Sequence, residues 1–240
     1  MPERVKLDIL VIAAHPDDIE ITCGGLLIKM AKRGHKTGAL DLTRGEMGTL
    51  GDTGDREAEA AAAAEVLGLS YRENFSLPDS ALEFNQENKL KIAAVIRATQ
   101  PELVILPHWQ QRHPDHRVCS QLGYDACFLA GLKKLDVDGE PYRPRKIIYV
   151  SYFRNTDYSF LVDISDEFEQ KSEAVAAYRS QFANPITAKH IFQPGIDIFD
   201  LMRTRAAALG QLVNVKYAEA YTIKEQILID DPQKMPVQSV

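Results

Sequence analysis

Apolar runs that stop at chemically loaded loops organise this chain. Residues 7–14 form a run in which only Asp8 is polar, and so short an apolar segment ending at a turn predicts a buried strand. Residues 20–32 then set Cys23, Leu26, Leu27, Met30 and Ala31 on one helical face before Gly34 ends the segment. The pattern repeats. Residues 36–42 read as a strand, 56–67 as an Ala-rich helix closed by Gly68, 85–99 as a helix and 103–107 as a strand. Beyond them, 117–130 is predicted helical, 146–152 and 160–164 extended, and 166–180 and 196–209 helical. Strands alternating with helices predict an α/β fold with a parallel, doubly wound sheet. No internal repeat or low-complexity linker interrupts it, so residues 1–240 are expected to form one domain.

Composition narrows the function. The chain is 45% apolar and 26% charged, ordinary for a globular protein, and no apolar stretch approaches the roughly 20 residues of a membrane-spanning helix. A soluble protein without membrane partners is expected. Met1-Pro2-Glu3-Arg4 runs into the first strand pattern with no secretory region, which makes the cytoplasm the expected compartment. Cys23, Cys119 and Cys127 lack Cys-x-x-Cys spacing and are expected to be free buried thiols. A net charge of −6 with no basic run argues against sequence-independent nucleic-acid binding. A small polar substrate remains compatible.

The loops carry the chemistry. In open parallel sheets ligands bind beyond the carboxyl ends of the strands, where three loops of this chain are expected to converge. His15-Pro16-Asp17-Asp18 follows the first strand, the Gly-rich RGEMGTLGDTGD of residues 44–55 follows the second, and His113-Pro114-Asp115-His116 lies shortly after the strand at 103–107. A hydrolytic metal site needs two or three protein ligands and an open position. His15 and Asp18 can reach an ion that His116 closes from the other loop. Asp17 is then the candidate base, His113 is left facing the substrate, and Asp115 can orient either imidazole. Taken alone, Asp17 and Asp18 read first as a helix N-cap and a first-turn carboxylate. The second cluster outweighs that explanation, because His15, His113 and His116 are half of the six histidines. His35 and His190 read as surface or satisfied histidines, and His108 as ambiguous.

AHPDDIE at residues 14–20 and RHPDH at 112–116 resemble the two signatures of the PIG-L/LmbE-like N-acetylglucosaminyl deacetylases. RGEMGTLGD, the following REAEAAAAAEVLG and VDISDEFEQKSEAVAAYRSQF at 162–182 are similar to the branch that deacetylates N-acetylglucosaminyl malate in bacillithiol biosynthesis. The resemblance spans residues 7–221. It implies Zn2+ or Fe2+ held by His15, Asp18 and His116, Asp17 as general base, and His113 as an imidazolium facing the carbonyl oxygen. It also implies a Rossmann-like, mostly parallel sheet with helices on both faces, and homo-oligomers, hexamers among them.

The implied reaction hydrolyses an N-acetyl group to a free amine and acetate. Glu46 and Arg56 are the candidates to hold the sugar, and the resemblance favours Arg56. Arg112, Arg154 and Arg179 are candidates for the malate carboxylates, since guanidinium pairs with carboxylate through two hydrogen bonds. Tyr152 reads either as a ring that stacks on the sugar or as core, and Tyr178 and Phe182 as packing. Another N-acetylated sugar conjugate is the nearest alternative substrate. A metal-dependent phosphoesterase is more distant, because it usually needs a second ion. A nucleotide-binding module is disfavoured by the absence of Gly-x-Gly-x-x-Gly after the first strand. Residues 230–240 read as a tail with no functional signal.

Overall fold

The structure is a computed structural model that describes residues 5–50, 53–152, 157–183 and 197–237. Its centre is β1 (Ile9–Ala13), five consecutive buried residues. Leu10 and Ile12 point into the cluster that Ile92, Ile96, Leu122 and Ala126 fill from one side of the sheet. Ile9, Val11 and Ala13 point into the opposite cluster with Leu27, Leu67 and Ala174. Covered on both faces, the strand has no use for polar alternation, and its sequence is correspondingly a continuous apolar run.

Around it lie β2 (Thr37–Thr43), β3 (Tyr71–Leu77), β4 (Leu103–Pro107), β5 (Lys146–Val150), β6 (Phe160–Asp163) and β7 (Ala218–Thr222), in the order β3-β2-β1-β4-β5-β7-β6. The five strands from β3 to β5 run parallel, and β7 runs antiparallel to both β5 and β6. Helices α1 (Asp18–Lys32), α2 (Thr53–Leu67) and α5 (Phe168–Ala176) cover one face, while α3 (Gln86–Thr99) and α4 (Pro114–Ala130) cover the other. A four-residue α6 (Arg179–Phe182) and α7 (Ile198–Gln211) follow. The mostly parallel sheet with helices on both faces is the architecture expected. Strand order reverses between β1 and β4, and this switch point is where ligands enter folds of this kind.

Four departures from the sequence reading matter. Strand β3 was not anticipated, since YRENFSL lies at the sheet edge with most residues partly or fully exposed, and Glu73 interrupts its alternation of Tyr71, Phe75 and Leu77. Strand β7, AEAYT, escaped because its Glu219 is buried among apolar neighbours. The expected helix over 166–180 is broken at Tyr178 (φ −79°, ψ 67°), whose buried hydroxyl accepts a hydrogen bond from Arg72 Nη2 at 3.0 Å. Helix α4 begins at Pro114, three residues early, so His116 rides on a helical turn rather than a loop. Among the described residues no helix is long and apolar enough to cross a membrane. Arg154 and His190 lie outside the described residues.

Candidate active site

The chain leaves β1 at Ala13 and turns into α1 within a few residues. Asp17 sits at the helix N-cap in a left-handed conformation (φ 95°, ψ −28°) and makes no side-chain cap bond, a costly geometry for a residue with a β-carbon. Asp18 folds back instead, its Oδ2 accepting the His15 N–H at 3.0 Å. Helix capping therefore does not explain the Asp-Asp pair. On the neighbouring strand the chain passes Pro107 and reaches α4, where His113 is the N-cap, its Nδ1 accepting the Asp115 N–H at 3.2 Å. Pro114 at the first helical position supplies the fixed φ that this start favours.

Both turns aim side chains at one point. His15 Nδ1 lies 3.4 Å from Asp18 Oδ2, His116 Nε2 lies 3.3 Å from the same oxygen, and the two nitrogens are 3.2 Å apart. Bonds of about 2.0–2.1 Å in tetrahedral array around zinc put neighbouring donor atoms about 3.3 Å apart. The triangle thus fits a tetrahedral divalent ion with its fourth position open, and two imidazoles with one carboxylate suit Zn2+ or Fe2+. His113 also comes within 4.8 Å of His15 and His116 by its nearest ligand atom. With its Nδ1 taken by Asp115 N–H, it faces the triangle rather than belonging to it.

Flanking groups fix the three side chains. His15 Nε2 lies 3.1 Å from Asp79 Oδ1 and 3.5 Å from Asp115 Oδ2. A proton on Nε2 leaves the Nδ1 lone pair toward the triangle. Tyr152 stacks on His116 with ring centroids 4.6 Å apart, and its hydroxyl donates to Asp18 Oδ1. Arg56 Nη1 donates to the Gly45 carbonyl at 2.9 Å while its Nη2 lies 3.3 Å from Asp17 Oδ2. This approach needs glycine at position 45, where φ is +68° and a β-carbon would fall 1.6 Å from Nη1.

The charges respond to one another. Burial pushes Asp17 up to about 8 against the opposing charge of Arg56. Burial would also raise Asp18, but His116 and His15 hold it well below the carboxylate range. Burial works to lower His15, and the Asp18 charge with hydrogen bonds to Asp115, Asp18 and Asp79 overrides it, raising the ring well above its ordinary value. The field that holds a proton there is the field that would hold a metal cation. Burial, with His15 and His116 adding to it, lowers His113. With its Nδ1 accepting the Asp115 N–H, Nε2 is the ring nitrogen that His113 has left to offer the cavity.

A cavity of about 590 Å³ opens over the cluster, with His15, Asp17, Asp18, His113 and His116 in its wall. Arg56 and Arg112 line it too, the latter exposed. Its remaining wall includes Ile21, Met47, Phe182 and Leu201. Two expectations change, for Glu46 and Arg179, and that for Asp115 is narrowed to one imidazole. Glu46 is not in the cavity wall; its Oε1 accepts the Asp79 N–H at 2.8 Å, so it braces a loop rather than holding a sugar. Asp115 is buried behind the site, where it accepts the Ser80 N–H at 2.6 Å and faces His15. Arg179 lines a separate groove between α2 and α5. Phe182, read as packing, is both buried and in the cavity wall, whereas Tyr178 is core. The sequence reading missed Asp79 because it missed β3, whose end delivers it; the Pro78-Asp79-Ser80 turn after Leu77 was the available signal.

The PIG-L family model, described as GlcNAc-PI de-N-acetylase, matches residues 10–127. Diacetylchitobiose deacetylase of Thermococcus kodakarensis is 32% identical over 223 residues, covering 88% of this chain and 80% of that protein. A Bacillus subtilis protein named Probable N-acetyl-alpha-D-glucosaminyl L-malate deacetylase 2 is 27% identical over 74% of this chain and 84% of its own length. The crystal structure of a conserved protein from Thermus thermophilus superposes with a TM-score of 0.85 and 39% identity, covering 93% of this chain and 97% of that one. Likeness along nearly the whole chain, with both histidine-aspartate turns brought to one cavity, places this protein in the PIG-L family of de-N-acetylases.

Proposed function

We propose that the protein is a metal-dependent N-deacetylase acting on an N-acetylglucosaminyl conjugate. The observation that carries this reading is the triangle of His15 Nδ1, Asp18 Oδ2 and His116 Nε2, with edges of 3.2–3.4 Å, beside Asp17 in the wall of a substrate-sized cavity. His15, Asp18 and His116 would hold the ion. A divalent cation supplies Lewis acidity, which lowers the pKa of water from about 15.7 to about 7. Asp17, which burial raises to about 8 with no ion present, would be ionised by the charge of a cation bound beside it; as a carboxylate held by Arg56 it accepts the proton of the attacking water. His113 donates its Nε2–H to the carbonyl oxygen as negative charge develops there, a contact of the kind worth about 10²–10³ in turnover. Asp17 then returns the proton to the departing amine.

The two named relatives suggest different partners for the sugar, malate or a second N-acetylglucosamine. The malate conjugate of bacillithiol biosynthesis is the finer proposal, with Arg112 at the cavity wall to pair with a carboxylate. The apolar wall of Ile21, Phe182 and Leu201 favours a second reading, in which a sugar ring lies against it. A two-metal phosphoesterase is disfavoured. His15, Asp79 and Asp115 also bring donor atoms within 4.8 Å of one another, but both carboxylates meet the ring at Nε2, away from the Nδ1 triangle, and each is already engaged, Asp79 Oδ2 by the Met47 N–H and Asp115 by the Ser80 and Leu82 N–H groups.

Free-amine release from N-acetylglucosaminyl malate, diacetylchitobiose and N-acetylglucosamine by zinc- or iron-loaded protein tests both levels. Turnover of one conjugate, lost in Asp17→Asn, is expected and names the aglycone. No release from any of the three by metal-loaded protein would overturn the proposal.

A further inference from the structure

The carboxylate of Asp79 faces two ways. Its Oδ1 lies 3.1 Å from His15 Nε2, while its Oδ2 accepts the Met47 N–H at 2.9 Å. The Asp79 N–H donates in turn to Glu46 Oε1 at 2.8 Å. Two reciprocal bonds therefore tie the Gly-rich loop after β2 to the turn after β3. The loop also forms cavity wall through Met47, Gly48 and Thr49, whose outer surfaces are exposed. The turn is pinned from below, where Asp115 accepts the Ser80 and Leu82 N–H groups at 2.6 and 3.4 Å. The side of the clamp open to solvent is the loop, and the pinned side meets the His15 imidazole.

We propose that Asp79 is a positioning residue that couples the order of the Gly-rich loop to the cation affinity of His15. This rests on the metal reading above. A carboxylate held at both oxygens fixes the His15 ring with Nδ1 toward Asp18 and His116. When the loop lifts, Oδ2 loses its donor and the carboxylate gains freedom to rotate away from Nε2. Coupling is reciprocal: whatever orders the loop tightens the ion, and the ion orders the loop by the same factor. A substrate that presses on Met47–Thr49 therefore strengthens the metal site without touching a ligand.

The test measures zinc dissociation constants by chelator competition for wild type, Asp79→Asn and Glu46→Ala, together with hydrogen exchange at the Met47 amide with and without zinc. Asp79→Asn is expected to weaken zinc about 10- to 100-fold. Glu46→Ala alters an exposed side chain that touches no ligand, and it is expected to weaken zinc roughly 5-fold. Zinc should slow exchange of the Met47 amide in wild type and leave it unchanged in Asp79→Asn. A clamp that is merely structural would lower the melting temperature of both variants with zinc affinity unmoved and Met47 exchange indifferent to zinc, and that result overturns the inference. A wild-type chain that takes up no zinc fails the metal reading beneath it; zinc bound equally by all three proteins fails the coupling alone.

Discussion

Of the buried ionic clusters that helix α1 touches, two differ in one respect. Beneath its kink at Cys23, Glu219 Oε1 accepts from Gly25 N and Lys171 Nζ at 2.9 and 2.6 Å, and Oε2 accepts from Leu26 N and Tyr221 OH, both at 2.8 Å. Four donors meet four acceptor sites, and the carboxylate has nothing left to offer. At the start of the same helix, Asp18 and His116 are as deeply buried, at 5% and 8% exposure against 4% for both Glu219 and Lys171. There, two nitrogens and an oxygen converge on one another and leave a gap suited to a cation. Between these two clusters burial of charge does not distinguish structure from chemistry; saturation does. The first cluster repairs the amides freed by a helix kink, and the second keeps donor atoms in reserve.

Substitutions can break that contrast. The largest effect is expected from stripping the metal. A chelator should reduce turnover more than roughly 10³-fold, with recovery on adding zinc, whereas the Lys171–Glu219 cluster should hold the fold intact throughout, as circular dichroism would register. Next, Asp17→Asn should lower kcat by about 10²–10⁴ while metal content stays at the wild-type level. Glu219→Ala should do the opposite. It strands Lys171 without its partner and should cost about 3–5 kcal/mol of stability in denaturant titration, leaving the zinc dissociation constant unchanged. Tyr152→Phe is the smallest. Loss of the hydroxyl on Asp18 Oδ1 should weaken zinc about 10-fold and change stability by only about 1 kcal/mol, because the ring stack on His116 remains.

Much of this was legible in the chain. β4 has the predicted bounds, β1 and β2 lie within a residue or two of theirs, and both histidine-aspartate turns reach the sheet edge as their positions implied. Apolar runs covered on both faces carry their own signature. What stayed hidden has a common cause. Edge strand β3 is half solvated with Glu73 interrupting its apolar alternation, and the short β7 carries a buried glutamate, so the apolar period of each is broken. Losing β3 meant losing Asp79. Glu46 and Arg56 illustrate the other limit. The sequence brings both toward the site, but only geometry distinguishes an arginine held between Asp17 and Gly45 from a glutamate turned to brace Asp79 N–H.

Whether His15, Asp18 and His116 hold a cation is decided by the metal content of dialysed wild type, His116→Ala and Glu219→Gln. Wild type and Glu219→Gln are expected to retain about one ion per chain, and His116→Ala almost none, because only it opens the three-ligand set. Full occupancy in His116→Ala, or an empty wild-type chain after zinc loading, would contradict the account.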